Sequence, residues 1–272
     1  GDSMDFDQKF LQEVRRVANT DTADARQINT HLLGMLIWHR SRLIEQCLTE
    51  NATDGTVEVS DGLLKGLVMR LPVHAGNALP MLLGTYESEL HPHLAAAVQR
   101  DYRHIVNIGC GDGYYLVGLA RLLPLARCFG HDTNPAAQEG CRQTALLNGV
   151  AERVTIGGLF DGGDFAQHPP GATLVICDIE GGEDALLNPT AFPALQRLDI
   201  IVELHEMYSV GVTERLLQRF AATHTITHVM HQAKRAHLPM NINGFTELDE
   251  MLCTYEGRGG PTPWLVMHAR AT

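Results

Sequence analysis

The sequence lacks cysteines at the close spacing of metal-binding or redox motifs. Its 272 residues include six cysteines, and none of them forms a C-x-x-C pair. Cys128 and His131 have C-x-x-H spacing without a second pair of ligands, which argues against a structural zinc site. Several of the cysteines lie within apolar runs, where they are expected to pack as small buried hydrophobes in a reducing compartment.

Long apolar runs and an excess of positive charge are missing as well. No stretch approaches the ~18 apolar residues of a membrane-spanning helix, and the first residues lack the charged and then apolar layout of a signal peptide. Lysine and arginine number 21 against 32 acidic residues, which gives a formal net charge of -11. Because an acidic surface repels phosphate backbones, nucleic acid is not expected as a partner. We therefore predict a cytoplasmic protein that binds neither membranes nor nucleic acid.

The first third of the chain has helical and hairpin patterns. Apolar residues recur at helical spacing over residues 5–50. Two short apolar stretches at residues 57–59 and 67–71 flank a turn, which predicts a hairpin. Helical spacing returns over residues 81–98, with a break expected at Pro92.

Beyond residue 104 the pattern changes to an alternation of strands and helices. The apolar, β-branched runs that predict strands are residues 104–108, 127–130, 154–156, 173–177, 200–204, 225–230 and 264–268. Helical stretches lie between most of them, an order that is typical of a mostly parallel sheet with helices on both faces. The sequence therefore predicts an α/β domain over residues 96–272, preceded by a helical and hairpin cap over residues 1–95.

A glycine-rich turn follows the first of these strands and leads into a helix. It contains Gly109, Gly111 and Gly113, whose missing side chains allow a tight turn and the close approach of a ligand. A dinucleotide site uses G-x-G-x-x-G, but Tyr114 stands where the third glycine of that pattern is required. Asp132 follows the next strand, 19 residues after Gly113, where a carboxylate can accept hydrogen bonds from both hydroxyls of a ribose.

These segments together resemble class I S-adenosylmethionine-dependent methyltransferases, with residues 106–113 similar to the first motif of that family and residues 130–132 to the second. The resemblance implies a Rossmann-like sheet of seven mostly parallel strands whose last strand is antiparallel. It also implies that the glycine turn packs under the methionine part of S-adenosylmethionine and that Asp132 holds the ribose. The family usually has Asp or Glu two residues before the first glycine, whereas this chain has Asn107, which keeps a hydrogen-bonding group without the charge.

Further cofactor contacts follow from the same resemblance. The segment after the third strand usually lines the adenine in this family, which implicates Leu159 or Phe160, with packing in the core as an equal alternative. The complete predicted cofactor site consists of Asn107, Gly109, Cys110, Gly111, Gly113, Tyr115, Asp132, Thr133, Leu159 and Asp178.

A second group of polar residues follows two later strands. Asp178 and Glu180 come after the strand at residues 173–177, and Glu203 and His205 end the next one. Because the carboxyl ends of parallel strands meet at one edge of a sheet, these side chains are expected beside the glycine turn. The sequences D-I-E-G-G-E and V-E-L-H-E, with the upstream G-T-Y-E-S-E-L, resemble the FkbM-like branch of methyltransferases. This resemblance implies methylation of a hydroxyl group on a sugar or another small molecule.

A hydroxyl group is a weak nucleophile until its proton is removed. His205 is the preferred general base, because an imidazole has an ordinary pKa of about 6.5. Asp178 or Glu180 would orient the acceptor or accept its proton. A divalent cation held by Asp178, Glu180 and His205 is an alternative, but no metal ligand is assigned. His205 can also serve only to stabilise the sheet edge, and Glu180 and Glu183 to hold the glycine turn between them.

Two other functions remain open. A nicotinamide-dependent oxidoreductase is built on the same kind of sheet, and Asp132 fits its ribose as well, but the missing third glycine argues against it. A protein that binds S-adenosylmethionine without catalysis is the other. The apolar stripe at residues 32–48 is expected to pack within the chain or to cover the acceptor pocket, and a homodimer through these N-terminal helices is a further possibility.

Overall fold

The computed structural model describes residues 6–19, 25–50, 52, 54–74, 77–236, 238 and 244–271. Its helices are α1 (Phe6–Ala18), α2 (Ala25–Thr49), α3 (Ala78–Leu82), α4 (His91–Val98), α5 (Tyr114–Leu122), α6 (Pro135–Leu147), α7 (Glu183–Leu186), α8 (Val212–Phe220) and α9 (Glu247–Leu252). Its strands are β1 (Thr56–Glu58), β2 (Val68–Arg70), β3 (His104–Ile108), β4 (Arg127–His131), β5 (Val154–Gly157), β6 (Thr173–Cys177), β7 (Asp199–Glu203), β8 (His224–Val229) and β9 (Trp264–Ala269). Among the described residues, no helix has both the length and the apolar character needed to cross a lipid bilayer.

The main sheet has seven strands in the described part of the chain, in the order β5-β4-β3-β6-β7-β9-β8. The strands β3 to β7 pair in parallel, whereas β9 lies antiparallel between β7 and β8. This confirms the prediction of a mostly parallel, Rossmann-like sheet with an antiparallel last strand. The strand order reverses at β3, where β4 lies on one side and β6 on the other. Open α/β sheets bind ligands outside the carboxyl ends of the strands at such a point.

The strands of this sheet are buried on both faces. On β3, Ile105 packs into the core on one face, while Val106 and Ile108 pack into the core on the other. Strands β6 and β7 alternate in the same way, since successive side chains of a strand point to opposite faces. Burial on both faces explains why these strands are continuous apolar runs in the sequence.

The predicted hairpin is present as β1 and β2, which pair antiparallel. Leu64 and Leu67, between the two strands, are buried in the same core as α5 and one face of the sheet. A Cβ on Gly118 of α5 would lie 2.7 Å from Leu64 Cδ1. The absence of a side chain at Gly118 therefore allows Leu64 to pack directly on the backbone of α5. The hairpin is thus packed directly against the sheet domain.

The helical region at residues 81–98 is divided differently from the prediction. Helix α3 ends at Leu82 and α4 begins at His91, so the break lies before Pro92 and the prediction of a break at this proline is wrong. Pro92 lies in the first turn of α4, where a missing N–H costs nothing because that group has no partner within the helix. The chain turns instead at Gly84, where φ is 69° and a Cβ would lie 1.9 Å from the carbonyl oxygen of Asp61.

Helix α9 has six residues and was not predicted from the sequence. Asp249 in its first turn accepts the backbone N–H of Thr246 at 2.7 Å, which caps the helix. The same carboxylate accepts two hydrogen bonds from the guanidinium of Arg40 on α2, at 2.5 and 2.8 Å. This pair joins the N-terminal helices to the C-terminal part of the chain.

Candidate functional site

The turn after β3 brings the backbone against both neighbouring strands. The N–H groups of Gly109 and Cys110 donate to the carbonyl oxygen of His131 at the end of β4, at 2.8 and 3.0 Å. Gly109 has a φ of 80°, and a Cβ there would lie 1.6 Å from the carbonyl oxygen of Asp178. Only glycine fits this position, because an L residue would be strained at that φ and would have no space.

The end of the turn packs two helices together. Gly113 precedes α5 with a φ of 90°, and a Cβ there would lie 2.8 Å from Sγ of Cys141 on α6. Gly113 therefore permits a close approach between α5 and α6. The neighbouring Cys110 is buried, and contact with the Cys141 thiol together with burial raises its pKa well above the usual range, so it is a neutral thiol.

Asp132 follows β4 and lies next to the glycine turn. Its Oδ2 accepts the N–H of Gly111 at 2.9 Å, and its Oδ1 accepts the N–H of Asn134 at 2.8 Å. The half-buried carboxylate is thus held in one orientation at the carboxyl ends of β3 and β4. The structure therefore brings together the glycine turn and the acidic residue that the sequence singles out.

Two cavities adjoin at this edge of the sheet. They share the lining residues Gly109, Asp132, Asp178 and Glu180. The first, the polar cavity, has a volume of about 380 Å³ and is lined mainly by acidic, aromatic and methionine side chains. The second, the apolar cavity, has a volume of about 550 Å³ and includes Leu159, Phe160, Ile179, Leu186 and Phe192 in its lining. Asp132 lies at the junction of the two.

All but one of the predicted cofactor residues line these cavities. Asn107, Cys110, Gly111 and Tyr115 line the polar cavity, Thr133 and Leu159 line the apolar cavity, and Gly109, Asp132 and Asp178 line both. Gly113 lines neither. Leu159 is 84% exposed, whereas Phe160 is buried against the ring of His131, with ring centroids 4.9 Å apart. Of the two residues considered for contact with the adenine, only Leu159 has an exposed side chain.

His205 lies just after β7 and is only 3% exposed. Its Nδ1 lies 2.8 Å from Oε1 of the buried Glu183. The same Glu183 oxygen accepts the N–H groups of Ile179 and Gly181 at 3.3 and 3.2 Å. Of the two glutamates considered for holding the glycine turn, Glu183 therefore does so, whereas the side chain of Glu180 is 71% exposed. Glu183 also fixes the orientation of the imidazole.

The other ring nitrogen of His205 faces three carboxylates. Its Nε2 lies 3.6 Å from Oδ1 of Asp178, 3.5 Å from Oε2 of Glu180 and 3.4 Å from Oε2 of Glu203. Burial alone would lower the pKa of His205, but the surrounding carboxylates outweigh it and raise that pKa to about 10. Burial and the neighbouring carboxylate of Glu203 also raise the pKa of Asp178 well above its usual range. The carboxylates around the polar cavity thus contribute to both shifts, while burial is the larger cause for Asp178.

Arg258 is a site residue that the sequence did not single out as functional, and its partner Glu87 belongs to the upstream G-T-Y-E-S-E-L segment. The Arg258 guanidinium donates to Oε1 of Glu87 and to Oε2 of Glu256, both at 2.8 Å, and pairs with Glu203. Glu87 has a φ of 48°, a strained value for a residue with a side chain, and its Oε2 accepts the hydroxyl of Tyr115 at 2.5 Å. Burial, and next the carboxylate of Glu203, raise the pKa of Glu87 to about 8.

No protein-family model and no curated protein sequence matches this chain. Among solved structures, the O-methyltransferase TomG of Streptomyces achromogenes in complex with SAM is 15% identical, with a TM-score of 0.47, over 98% of this chain and 100% of that chain. An O-methyltransferase of Bacillus cereus in complex with SAH is 16% identical over 65% and 78%, with a TM-score of 0.46. A precorrin-6y C5,15-methyltransferase of Geobacter metallireducens is 15% identical over 66% and 87%, also with a TM-score of 0.46. At these identities the likeness concerns the fold alone.

Proposed function

We propose that this chain is an S-adenosylmethionine-dependent methyltransferase that acts on a hydroxyl group of a small molecule. The observation that carries the proposal is the position of Asp132. Its carboxylate is oriented by the N–H of Gly111 and lies where the polar and apolar cavities meet. A ribose at this junction can donate hydrogen bonds to Asp132 while its two substituents extend into the two cavities.

The residues around the junction fit this cofactor. The apolar cavity offers Leu159 and Phe192 to a flat adenine ring, while the polar cavity offers carboxylates to positively charged groups. Two buried polar atoms of residues that line the polar cavity have no hydrogen-bond partner among the described residues, namely the hydroxyl of Tyr114 and Oδ1 of Asp178. Such atoms are costly unless a ligand or water satisfies them, which supports a polar ligand in this cavity. When bound, S-adenosylmethionine supplies an electrophilic methyl group on a positively charged sulfur.

The chain's own residues then have to position the acceptor and take its proton. Asp178 lines both cavities, so the group formed by Asp178, Glu203 and His205 adjoins the proposed cofactor site. A hydroxyl beside this group can lose its proton to one of its carboxylates and become a nucleophile in line with the methyl group. The raised pKa of His205 keeps its imidazole protonated at neutral pH, so the imidazole positions that carboxylate rather than accepting the proton itself. The resemblance of D-I-E-G-G-E and V-E-L-H-E to the FkbM-like branch supports a hydroxyl acceptor, and the cavity volumes favour a small one.

We further propose that residues 1–95 cap the site of the domain at residues 96–272. The polar cavity is lined in part by Met69 on β2 and by Tyr86 and Glu87 after α3. This region therefore contributes to the part of the polar cavity that we assign to the acceptor, which we call the acceptor side. On α2, Leu33 and Leu36 are 55% and 54% exposed, which supports a contact between two copies of the chain. The mass of the protein in solution tests that part of the proposal.

Methyl transfer and ligand stabilisation test the function together. We expect S-adenosylmethionine, but not NAD or NADP, to raise the melting temperature of the chain, because a ligand that binds only the folded state stabilises it. With methyl-labelled cofactor and a panel of small hydroxyl compounds, labelled product is expected from at least one acceptor. Stabilisation by NAD or NADP alone would overturn the proposal in favour of an oxidoreductase. Stabilisation by S-adenosylmethionine without transfer to any acceptor would indicate a binding protein without catalysis.

A further inference from the structure

Asp178, Glu203 and His205 form a compact group of possible metal ligands, which we call the acidic cluster. Each offers one donor atom, and these three atoms all lie within 4.8 Å of one another. Asp178 follows β6, while Glu203 and His205 lie at the end of β7, so adjacent parallel strands of the sheet hold the three donors in place. A preformed donor set on rigid strands is what a bound metal ion requires.

The distances from His205 Nε2 to the neighbouring carboxylate oxygens are close to those between ligands of one ion. His205 Nε2 lies 3.4 to 3.6 Å from the nearest oxygens of Asp178, Glu203 and the adjacent Glu180. These contacts are longer than the 2.7–3.2 Å that is typical of N–H···O hydrogen bonds. Donors bonded to one ion at about 2.1 Å are separated by roughly 3.0 Å in an octahedral site and roughly 3.4 Å in a tetrahedral one. Small rotations of the side chains therefore suffice to close the cluster around a cation.

Two independent features show that the cluster is oriented toward a ligand. The carboxylate of Glu183 fixes Nδ1 of the buried His205, so the ring presents Nε2 to the cluster. Metal-binding histidines commonly have such a carboxylate on their other nitrogen, which sets the tautomer and the ring orientation. In addition, Oδ1 of Asp178 is a buried atom that accepts no hydrogen bond from the described residues. A buried oxygen without a partner lacks the compensation that a cation would provide.

A second cluster in the same molecule shows how such charges are balanced without a metal. Glu89, His231 and Glu256 also form a compact donor set, but the buried ammonium of Lys234 lies 2.8 Å from Oε2 of Glu89 and pairs with Glu256. Within the part of the chain that the structure describes, no lysine ammonium pairs with the acidic cluster. Arg258 pairs with Oε1 of Glu203, whereas His205 lies next to Oε2 of the same carboxylate. Among the described residues, neither Asp178 nor Glu180 pairs with a lysine or arginine.

We propose that Asp178, Glu203 and His205 bind a divalent first-row transition-metal cation, with Glu180 and solvent completing the coordination. A ligand set of one imidazole and several carboxylates suits Mn²⁺ or a similar ion rather than Ca²⁺. The cation would lie on the acceptor side of the polar cavity, where it can bind a hydroxyl oxygen and lower its pKa. Binding of the ion to the chain does not depend on methyl transfer, so it is measured without S-adenosylmethionine or acceptor.

The test is the titration of the cofactor-free chain with Mn²⁺, followed by electron paramagnetic resonance of the free ion. We expect one bound ion per chain. His205→Gln and Asp178→Asn should each weaken binding by at least about tenfold, and Glu183→Gln by about 10- to 100-fold because it frees the imidazole. His231→Gln in the second cluster is the matched control and should bind Mn²⁺ like the unaltered chain. Melting curves of each variant show whether it is folded.

Absence of Mn²⁺ binding by the unaltered chain up to about 1 mM, the weak end of the range for divalent-cation sites, would overturn the proposal. Equal binding by folded His205→Gln, or loss of binding in His231→Gln, would also overturn it by locating the ion elsewhere. If Asp178→Asn does not fold, Glu183→Gln and His205→Gln still decide the question, since both keep a polar group of similar size. None of these results bears on whether S-adenosylmethionine binds at Asp132, so the two proposals can fail separately.

Discussion

Replacement of His205 by alanine is expected to slow methyl transfer by about 10²- to 10⁴-fold while changing the affinity for S-adenosylmethionine by less than about threefold. The physical reason is the position of the imidazole. Its Nε2 faces Asp178, Glu180 and Glu203 on the acceptor side, while the cofactor is assigned to the junction at Asp132. The loss therefore affects activation of the acceptor, whether the acidic cluster takes its proton directly or through a bound cation.

The measurement is steady-state turnover together with a separate titration of the cofactor. His228→Ala is the matched control, since His228 is exposed on the edge strand β8 and should be replaceable without effect on either quantity. Glu183→Gln keeps the imidazole but removes its orienting partner, so a smaller loss of turnover is expected. Undiminished turnover in His205→Ala would remove this residue from the mechanism.

Gly109→Ala is expected to abolish measurable binding of S-adenosylmethionine and to lower the free energy of unfolding by roughly 2–5 kcal/mol. A methyl group at this position would lie 1.6 Å from the carbonyl oxygen of Asp178, and the φ of 80° is strained for alanine. The turn would have to move away from β6, which displaces the N–H groups of Gly109 and Cys110 from His131. The backbone turn that lines the proposed cofactor site would then no longer have the shape that the cofactor requires.

Gly149→Ala separates the two causes of this effect. Gly149 has a φ of 67°, but a Cβ there would meet no atom of the described residues within 4 Å, so only the conformational strain applies. We expect it to cost about 1 kcal/mol and to leave cofactor binding unchanged. Urea unfolding and calorimetric titration measure both variants. Normal cofactor affinity in Gly109→Ala would show that the close approach between the turn and β6 is not needed for binding.

The sheet was predictable because its signals are local. Strands β3, β4, β6 and β7 follow the sequence-based ranges to within one residue, since strands buried on both faces are continuous apolar runs between helices. Helix α9 was missed because its six residues offer less than two turns of periodicity, and tertiary contact with Arg40 stabilises it. The break near Pro92 was misplaced because proline is compatible with a first helical turn as well as with an interruption.

The site was predictable only in part, because only some of its signals are local in the sequence. The glycine turn and Asp132 follow from a strand, a turn, a helix and an acidic residue in consecutive order, and this pattern is visible in one short segment. Arg258 is separated by 55 residues from Glu203 and by 171 from Glu87, so no spacing in the sequence indicates that they meet. The role of Glu183 as partner of His205 depends on how the turn after β6 folds back toward β7. Such contacts are set by the tertiary structure.

The central claim is that Asp132 holds the ribose of S-adenosylmethionine, and calorimetric titration of the cofactor into three chains tests it most directly. The unaltered chain should bind one equivalent. Asp132→Ala should bind about 10²- to 10⁴-fold more weakly with its fold retained, because up to two charge-assisted hydrogen bonds are lost. Asp161→Ala, which removes an exposed carboxylate that accepts the N–H of Gly163 beyond β5, should bind normally. Equal affinity in the unaltered and Asp132→Ala chains would contradict the claim.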